Sequence, residues 1–276
     1  MAVTQYRSTL ASPRAALLAP MLAAALAFLP AAGAVAQNTA YQPEVGQAGK
    51  DVVWVPTSQA LVEKMLDIAK VTPKDYLIDL GSGDGRTVIT AAQRGLTAHG
   101  IEFNPDMVAL ARQAATKAGV ADRATFTAGD LFEADLSRAQ VITMFLLPSI
   151  NEKLRPTLLD MKPGTRVVSN TFRMGDWQPD ETATVTDQCQ NWCTALLWIV
   201  PAKVEGAWKL GNRDLKLSQQ YQMLTGTLGQ SPISDARLKG NEISFTADGV
   251  RYTGTVDGKR MTGKADKQGN WTASRS

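Results

Sequence analysis

The stretch "DYLIDLGSGDGRTVITAAQRG", residues 75–95, constrains this chain more than any other. An apolar run closes on Asp79, glycines follow at 81, 83 and 85 around Ser82, and a helical pattern opens at Arg86. This is a strand, a tight loop and a helix. Glycines at alternate positions let the backbone turn sharply and approach a ligand with no Cβ in the way. The G-x-G-x-G spacing differs from the G-x-G-x-x-G of dinucleotide binders, and no G-K-[ST] follows to make a phosphate loop. An acid placed directly before the glycines would repel a pyrophosphate. It suits a ligand that carries positive charge.

The flanking sequence predicts repeated alternation of strand and helix. "VPTSQALVEKMLDIAKV" reads as a turn and then a helix, with Ser58 at its cap and Leu61, Met65, Leu66 and Ile68 on one face. After the glycine loop come the strand "LTAHGIEF" and a helix with Asn104 as cap, Pro105 at its first position and Gly119 at its end. The strands "ATFTAGD" and "AQVITMFLLP", the helix "SINEKLRPTLLDMKPG" and the strand "TRVVSNTF" follow, then "ETATVTD" and "CTALLWIVP". The expected fold class is α/β: a doubly wound, mostly parallel, seven-stranded Rossmann-like sheet, made mixed by its last hairpin. After Pro201 helical periodicity stops. Runs such as "DLKLSQQYQML", "ARLKGNEISFTA", "VRYTGTV" and "KRMTGKA" are strand-like, and Gly240-Asn241, Asp248-Gly249 and Asp257-Gly258 are hairpin signals. Residues 203–276 therefore read as a small antiparallel β meander following a domain at 37–202.

Two more acids select the ligand. Glu102 closes the second strand, where a carboxylate can accept hydrogen bonds from both ribose hydroxyls, and Asp130 closes the third, placed for the amine of an adenine. Three acids at successive strand ends line one crevice at the carboxyl edge of the sheet. Together they describe S-adenosylmethionine (SAM), with Gly81, Ser82, Gly83, Gly85, Phe103 and Leu131 beside them.

These segments resemble the class I, seven-stranded SAM-dependent methyltransferases over roughly residues 50–200. The likeness is closer to the subgroup holding mitochondrial protein-lysine methyltransferases of the ATP synthase c subunit and the adenine nucleotide translocator. It rests on "WVPTSQALVEKML", "DLGSGDGR", "FLLP" at 145–148 and "PGTRVVSNTFRMGDWQPD". The resemblance implies that Val55, Pro56 and Thr57 fold over the cofactor and that the acceptor is an amine, in the first place a protein lysine. A small-molecule acceptor, and an exported SAM- or nucleoside-binding module without turnover, are the alternatives. Phe145, Pro148 and Trp177 are assigned to the substrate side; for Phe145 a core role, and for Trp177 a loop-anchor role, stay open. "FLLP" stands where many amine methyltransferases carry an acid or Asn before Pro-Pro and an aromatic, and it begins with no polar residue. No catalytic base is legible, and His99, inside a predicted buried strand, reads as structural.

The remaining features bear on location and partners. Residues 1–36 read as a signal peptide: Arg7 and Arg14 are the only charges, an Ala/Leu-rich run covers 15–29, and Ala34-Val35-Ala36 forms an A-x-A site before Gln37. The apolar run is short for a membrane span, so cleavage and export are expected, with an uncleaved anchor as the alternative. Nothing later in the sequence is long and apolar enough to span a bilayer. The rest of the chain is close to neutral, which gives no nucleic-acid signature. Its charge is uneven, since residues 203–276 carry 12 Lys/Arg against 7 Asp/Glu. Cys189 and Cys193 are the only cysteines and His99 the only histidine, too few for a usual structural zinc site; in an exported chain the cysteines suit a local disulfide.

Overall fold

The computed structural model describes residues 41–275; the predicted signal peptide lies outside them. One sheet is built from Tyr76–Leu80 (β1), Thr97–Glu102 (β2), Ala124–Ala128 (β3), Val141–Met144 (β4), Arg166–Asn170 (β5), Glu181–Thr184 (β6) and Thr194–Ile199 (β7). Its order is β3-β2-β1-β4-β5-β7-β6. β1 to β5 run parallel, and β7 enters antiparallel between β5 and β6. The helices are Gln59–Ile68 (α1), Arg86–Gln93 (α2), Pro105–Lys117 (α3) and Pro148–Leu159 (α4).

Local chemistry sets the helix ends. The Ser58 hydroxyl accepts from the Leu61 N–H, and the Asn104 side chain accepts from the Asp106 N–H with Pro105 in the first turn. α1, α2 and α3 bury Leu61, Leu66, Val88, Ala91, Val108 and Ala111 against one face of the sheet, through Leu77, Val141, Val168 and Leu197. The other face carries α4, through Ile150, Leu154 and Leu158, and is otherwise covered by loop residues and Tyr221. Among the described residues no helix is long and apolar enough to cross a membrane.

The expected meander goes further than an open sheet. Its strands are Gly206–Leu210 (β8), Arg213–Gln220 (β9), Met223–Leu228 (β10), Ser231–Pro232 (β11), Ser234–Lys239 (β12), Glu242–Ala247 (β13), Val250–Asp257 (β14), Arg260–Ala265 (β15) and Gly269–Arg275 (β16). The run "DLKLSQQYQML" divides into β9 and β10 at Tyr221, which takes a left-handed turn conformation. β16 pairs with β8, β8 with β9 and β9 with β10, so the strands close into a barrel with β11 appended to β10. Closure removes the edges that an open meander would expose. The interior is filled by Trp208, Leu217, Leu224, Phe245, Tyr252, Met261 and Trp271, with Phe245 and Tyr252 stacked at 4.7 Å.

The barrel grips the first sheet through its β9–β10 turn. Trp177 is fully buried there, donates its indole N–H to Gln222 Oε1 (2.9 Å) and stacks on Tyr221. Trp198 donates to the Trp177 carbonyl, and Arg237 pairs with the buried Asp180 carboxylate at 2.8 Å. Trp177 is therefore the anchor between the two sheets. It is not a substrate-side residue.

Candidate active site

Strand order places the site. The chain reverses direction of travel across the sheet at β1, and the crevice outside the carboxyl ends of the strands at such a point is where α/β sheets bind ligands. Here it is a cleft of about 1060 Å³ including its open mouth. Val55, Pro56, Thr57, Asp79, Gly81, Ser82, Gly83, Glu102, Phe103, Asp130, Leu131 and Phe145 all line it.

The three acids sit in different environments. Asp79, at the end of β1, is 6 % exposed and accepts from the Thr143 hydroxyl at 2.6 Å. Burial pushes its carboxyl up to about 7; the Thr143 bond opposes this, and the nearby Asp84 and Glu102 add to it. Glu102 is held by two backbone donors, Gly83 N–H at 2.9 Å and Asn104 N–H at 3.0 Å. Two acceptor positions on the carboxylate are left over for a ligand. Asp130 accepts from the Phe132 N–H and from Lys50 Nζ (2.5 Å), and the Lys50 bond holds its carboxyl below the usual range.

A roof covers the cleft, built largely from residues 44–54, which carry no periodic pattern. Residues 44–54 fold back on themselves: Gly46 N–H donates to the Trp54 carbonyl and Trp54 N–H to the Gln47 carbonyl. The tip puts Lys50 on Asp130 and over the Phe103 ring, 4.9 Å from its centre. Trp54 lies against the glycine loop, so a Cβ on Gly83 would come within 2.6 Å of its indole nitrogen. Thr57 is then gripped twice, by Arg86 donating to its carbonyl (2.7 Å) and by Asn170 Nδ2 donating to its hydroxyl (3.2 Å). Arg86 is in turn paired with Asp84 of the loop. Lys50, Trp54, Arg86, Thr143 and Asn170 escaped the sequence reading. Four of them stand inside quoted segments and Lys50 alone does not, but nothing local marks any of the five for the site.

Two more of the expected residues, besides Trp177, fall elsewhere. Gly85 does not line the cleft: it caps α2 at a φ of +83°, packed so tightly on Phe126 and Ala111 that a Cβ would overlap both. Pro148 is exposed in the first turn of α4, where its missing N–H costs nothing. His99 is structural, its Nδ1 bonded to the Thr125 hydroxyl. Cys189 and Cys193 form a disulfide in the turn between β6 and β7.

The donor set fits SAM. A cationic amino-acid end, a ribose diol and an adenine amine call for three separated acceptors, and Asp79, Glu102 and Asp130 supply them in strand order. Ser82 lines the same cleft, with its hydroxyl buried against Gly100 and without a partner among the described residues. Such an arrangement of fold and acids defines a class I, SAM-dependent methyltransferase. The family described as the ANTKMT methyltransferase domain matches residues 79–181, and the chain belongs to it.

Relatives bear this out. The chain is 44 % identical over 152 residues to a protein-lysine N-methyltransferase of Saccharolobus islandicus, covering 54 % of this chain and 94 % of that protein. It is 38 % identical over 130 residues to the adenine nucleotide translocase lysine N-methyltransferase of Mus musculus, and there the match spans 46 % of this chain and 56 % of the relative. A solved structure, an RNA methyltransferase from Salinibacter ruber in complex with S-adenosylhomocysteine (SAH), superposes with a TM-score of 0.51 at 49 % identity, covering 54 % of this chain and 96 % of that one. The chain is a SAM-dependent N-methyltransferase. The matched family region ends before the barrel begins.

Proposed function

We propose that the enzyme methylates the ε-amine of protein lysines, and that it does so after export. One observation carries the choice of acceptor. The cleft beyond Asp79 is bounded by Met144, Phe145, Leu146 and Ile150, and no histidine or cysteine lines it. These four side chains carry no titratable group, and such an apolar wall suits an acceptor that sheds its proton on leaving water, as a desolvated lysine does. When bound, SAM supplies a methyl group on a sulfonium, so the amine lone pair forms the C–N bond as the C–S pair returns to sulfur. The protein's share is alignment, which can be worth ~7–11 kcal/mol. Asp79, Glu102 and Asp130 fix one reactant, the roof excludes water, and the apolar wall presents the other. Similarity to proteins named as lysine methyltransferases supports the reading.

Export rests on the pattern of residues 1–36 and on the Cys189–Cys193 disulfide, which suits an oxidising compartment. It requires that SAM be available there. The test is to incubate the purified enzyme with radiolabelled SAM and extracts of its own cell envelope, then to locate the label by mass spectrometry. Methyl groups on lysine support the proposal. Label confined to RNA, the substrate class named for the Salinibacter relative, or to small molecules would refute it. The mature N-terminus, read in the same way, begins at Gln37 if the chain is exported.

A further inference from the structure

The cleft has a second half. The cofactor acids stand at the ends of β3, β2 and β1, and the sheet continues through β4, β5 and β7. An acceptor must therefore reach the methionine end of the cofactor from the β4 side. Three aromatic rings from three separate loops meet there. Phe145 follows β4, Phe172 follows β5, and Trp192 sits in the turn before β7. The Phe145 and Phe172 rings stack at 5.9 Å, and Trp192 closes on Phe145 at 5.9 Å with a tilt of 58°. Phe145 itself lines the cofactor cleft, which makes the two halves continuous.

The backbone beneath these rings is strained, and Trp192 is left uncovered. Thr171, a β-branched residue, is held at a φ of +60°, and its hydroxyl is buried without a partner among the described residues. The neighbouring Asn170 is 1 % exposed; its Nδ2 holds Thr57 of the cleft while its Oδ1 has no partner among the described residues. Strain and unsatisfied buried polar atoms gather at functional sites. Trp192 is 43 % exposed, and it stands in the turn that the Cys189–Cys193 bond closes. That bond links residues four apart, so the loop between them has little freedom to carry the indole away.

We propose that Phe145, Phe172 and Trp192 form the acceptor slot, taking the methylene stem and terminal amine of a lysine, and that the disulfide holds Trp192 in place. This rests on the amine-acceptor reading above. Ring faces attract the arriving ammonium, and the surrounding apolar surface favours its neutral form once water is left behind. A nucleobase fits less well: Phe145 and Phe172 already stack on each other, and the remaining wall, Trp192, is tilted 58° from Phe145, an angle that an alkyl chain follows and a flat ring does not. Trp192 is a positioning residue for substrate. It takes no part in bond making.

The test is calorimetric and uses the full chain with two probes: SAH, and a bisubstrate compound in which nitrogen replaces its sulfur and bears a flexible aminoalkyl chain. The wild type should bind the bisubstrate compound more tightly than SAH. In Trp192→Ala, and in the double variant Cys189→Ser/Cys193→Ser, that advantage should fall by about tenfold, the loss of one ring contact, while SAH affinity stays within about threefold. Thiol reductant should reproduce the double-variant result in the wild type and leave Trp192→Ala unchanged. An advantage that survives both Trp192→Ala and Phe172→Ala overturns the slot, as does an equal loss for both probes. A hydroxyalkyl chain that binds as well as the aminoalkyl chain overturns the amine assignment specifically. Failure of folded wild type to bind SAH would instead remove the cofactor reading on which everything else stands.

Discussion

Asp79 is the residue whose environment says most about the chemistry. Its carboxyl titrates near 7 in the folded protein and near 3.9 when unfolded. Between those values the folded state keeps a proton that the unfolded state has lost, so this group's contribution to stability is present at low pH and disappears as pH rises through 7. A cationic ligand prefers the carboxylate. SAM affinity should therefore fall as pH drops below 7, by at most about tenfold per pH unit, while Asp79→Asn binds weakly with a flat profile and is the more stable apoprotein at pH 8. Titration calorimetry and urea melts from pH 5.5 to 8 check both; a wild-type affinity independent of pH would refute the assignment. Two glycines make a second pair of tests. Gly85→Ala should cost about 2–4 kcal/mol of stability, from the left-handed backbone and the overlap with Phe126. Gly83→Ala should displace Trp54 and weaken SAM binding by about tenfold, or ~1.4 kcal/mol. Asp79, Glu102 and Asp130 were legible in the sequence because strand ends and a glycine loop fix their places. Lys50 and Asn170 were not, because each acts through a partner 80 or 113 residues away.

At the scale of elements, periodicity and turn chemistry did most of the work. Each strand and helix around the glycine loop forms inside, or within a residue of, the segment that the alternation predicts, but "AQVITMFLLP" is strand only over Val141–Met144 and α4 stops at Leu159, short of Gly164. The failures have a common cause. The arm at 44–54 has no periodic pattern, and it is organised by a few backbone bonds and by what lies beneath it. The division of β9 from β10 at Tyr221 lacks a glycine or proline to announce it. The arm also supports a prediction. Lys50→Ala removes a partly exposed, solvent-screened ion pair, so SAM and SAH affinities should both weaken by no more than about fivefold. Stopped-flow tryptophan fluorescence should place the change in the dissociation rate. A change in association alone would mean that the arm is not a roof.

Across the whole molecule, the barrel is structural to the enzyme as well as attached to it. Trp177, Tyr221 and Gln222 bridge the two sheets, and Trp177→Ala should cost about 3–5 kcal/mol in denaturant melts. If it costs under 1 kcal/mol, the two sheets are coupled elsewhere. Barrel closure was hidden from the sequence because β16 must find β8, a pairing with no local signal, whereas the hairpins between them announce themselves in Asp-Gly and Gly-Asn pairs. The roof has one more consequence. Lys50 and Trp54 sit over Asp130 and the glycine loop, the region that receives the adenosine, and the methyl group is transferred at the other end. Adenosine is the same in fresh and spent cofactor, so the roof cannot distinguish them and retains both. Such an enzyme is throttled by its own by-product, and its output in any closed compartment is set by how fast that by-product is cleared.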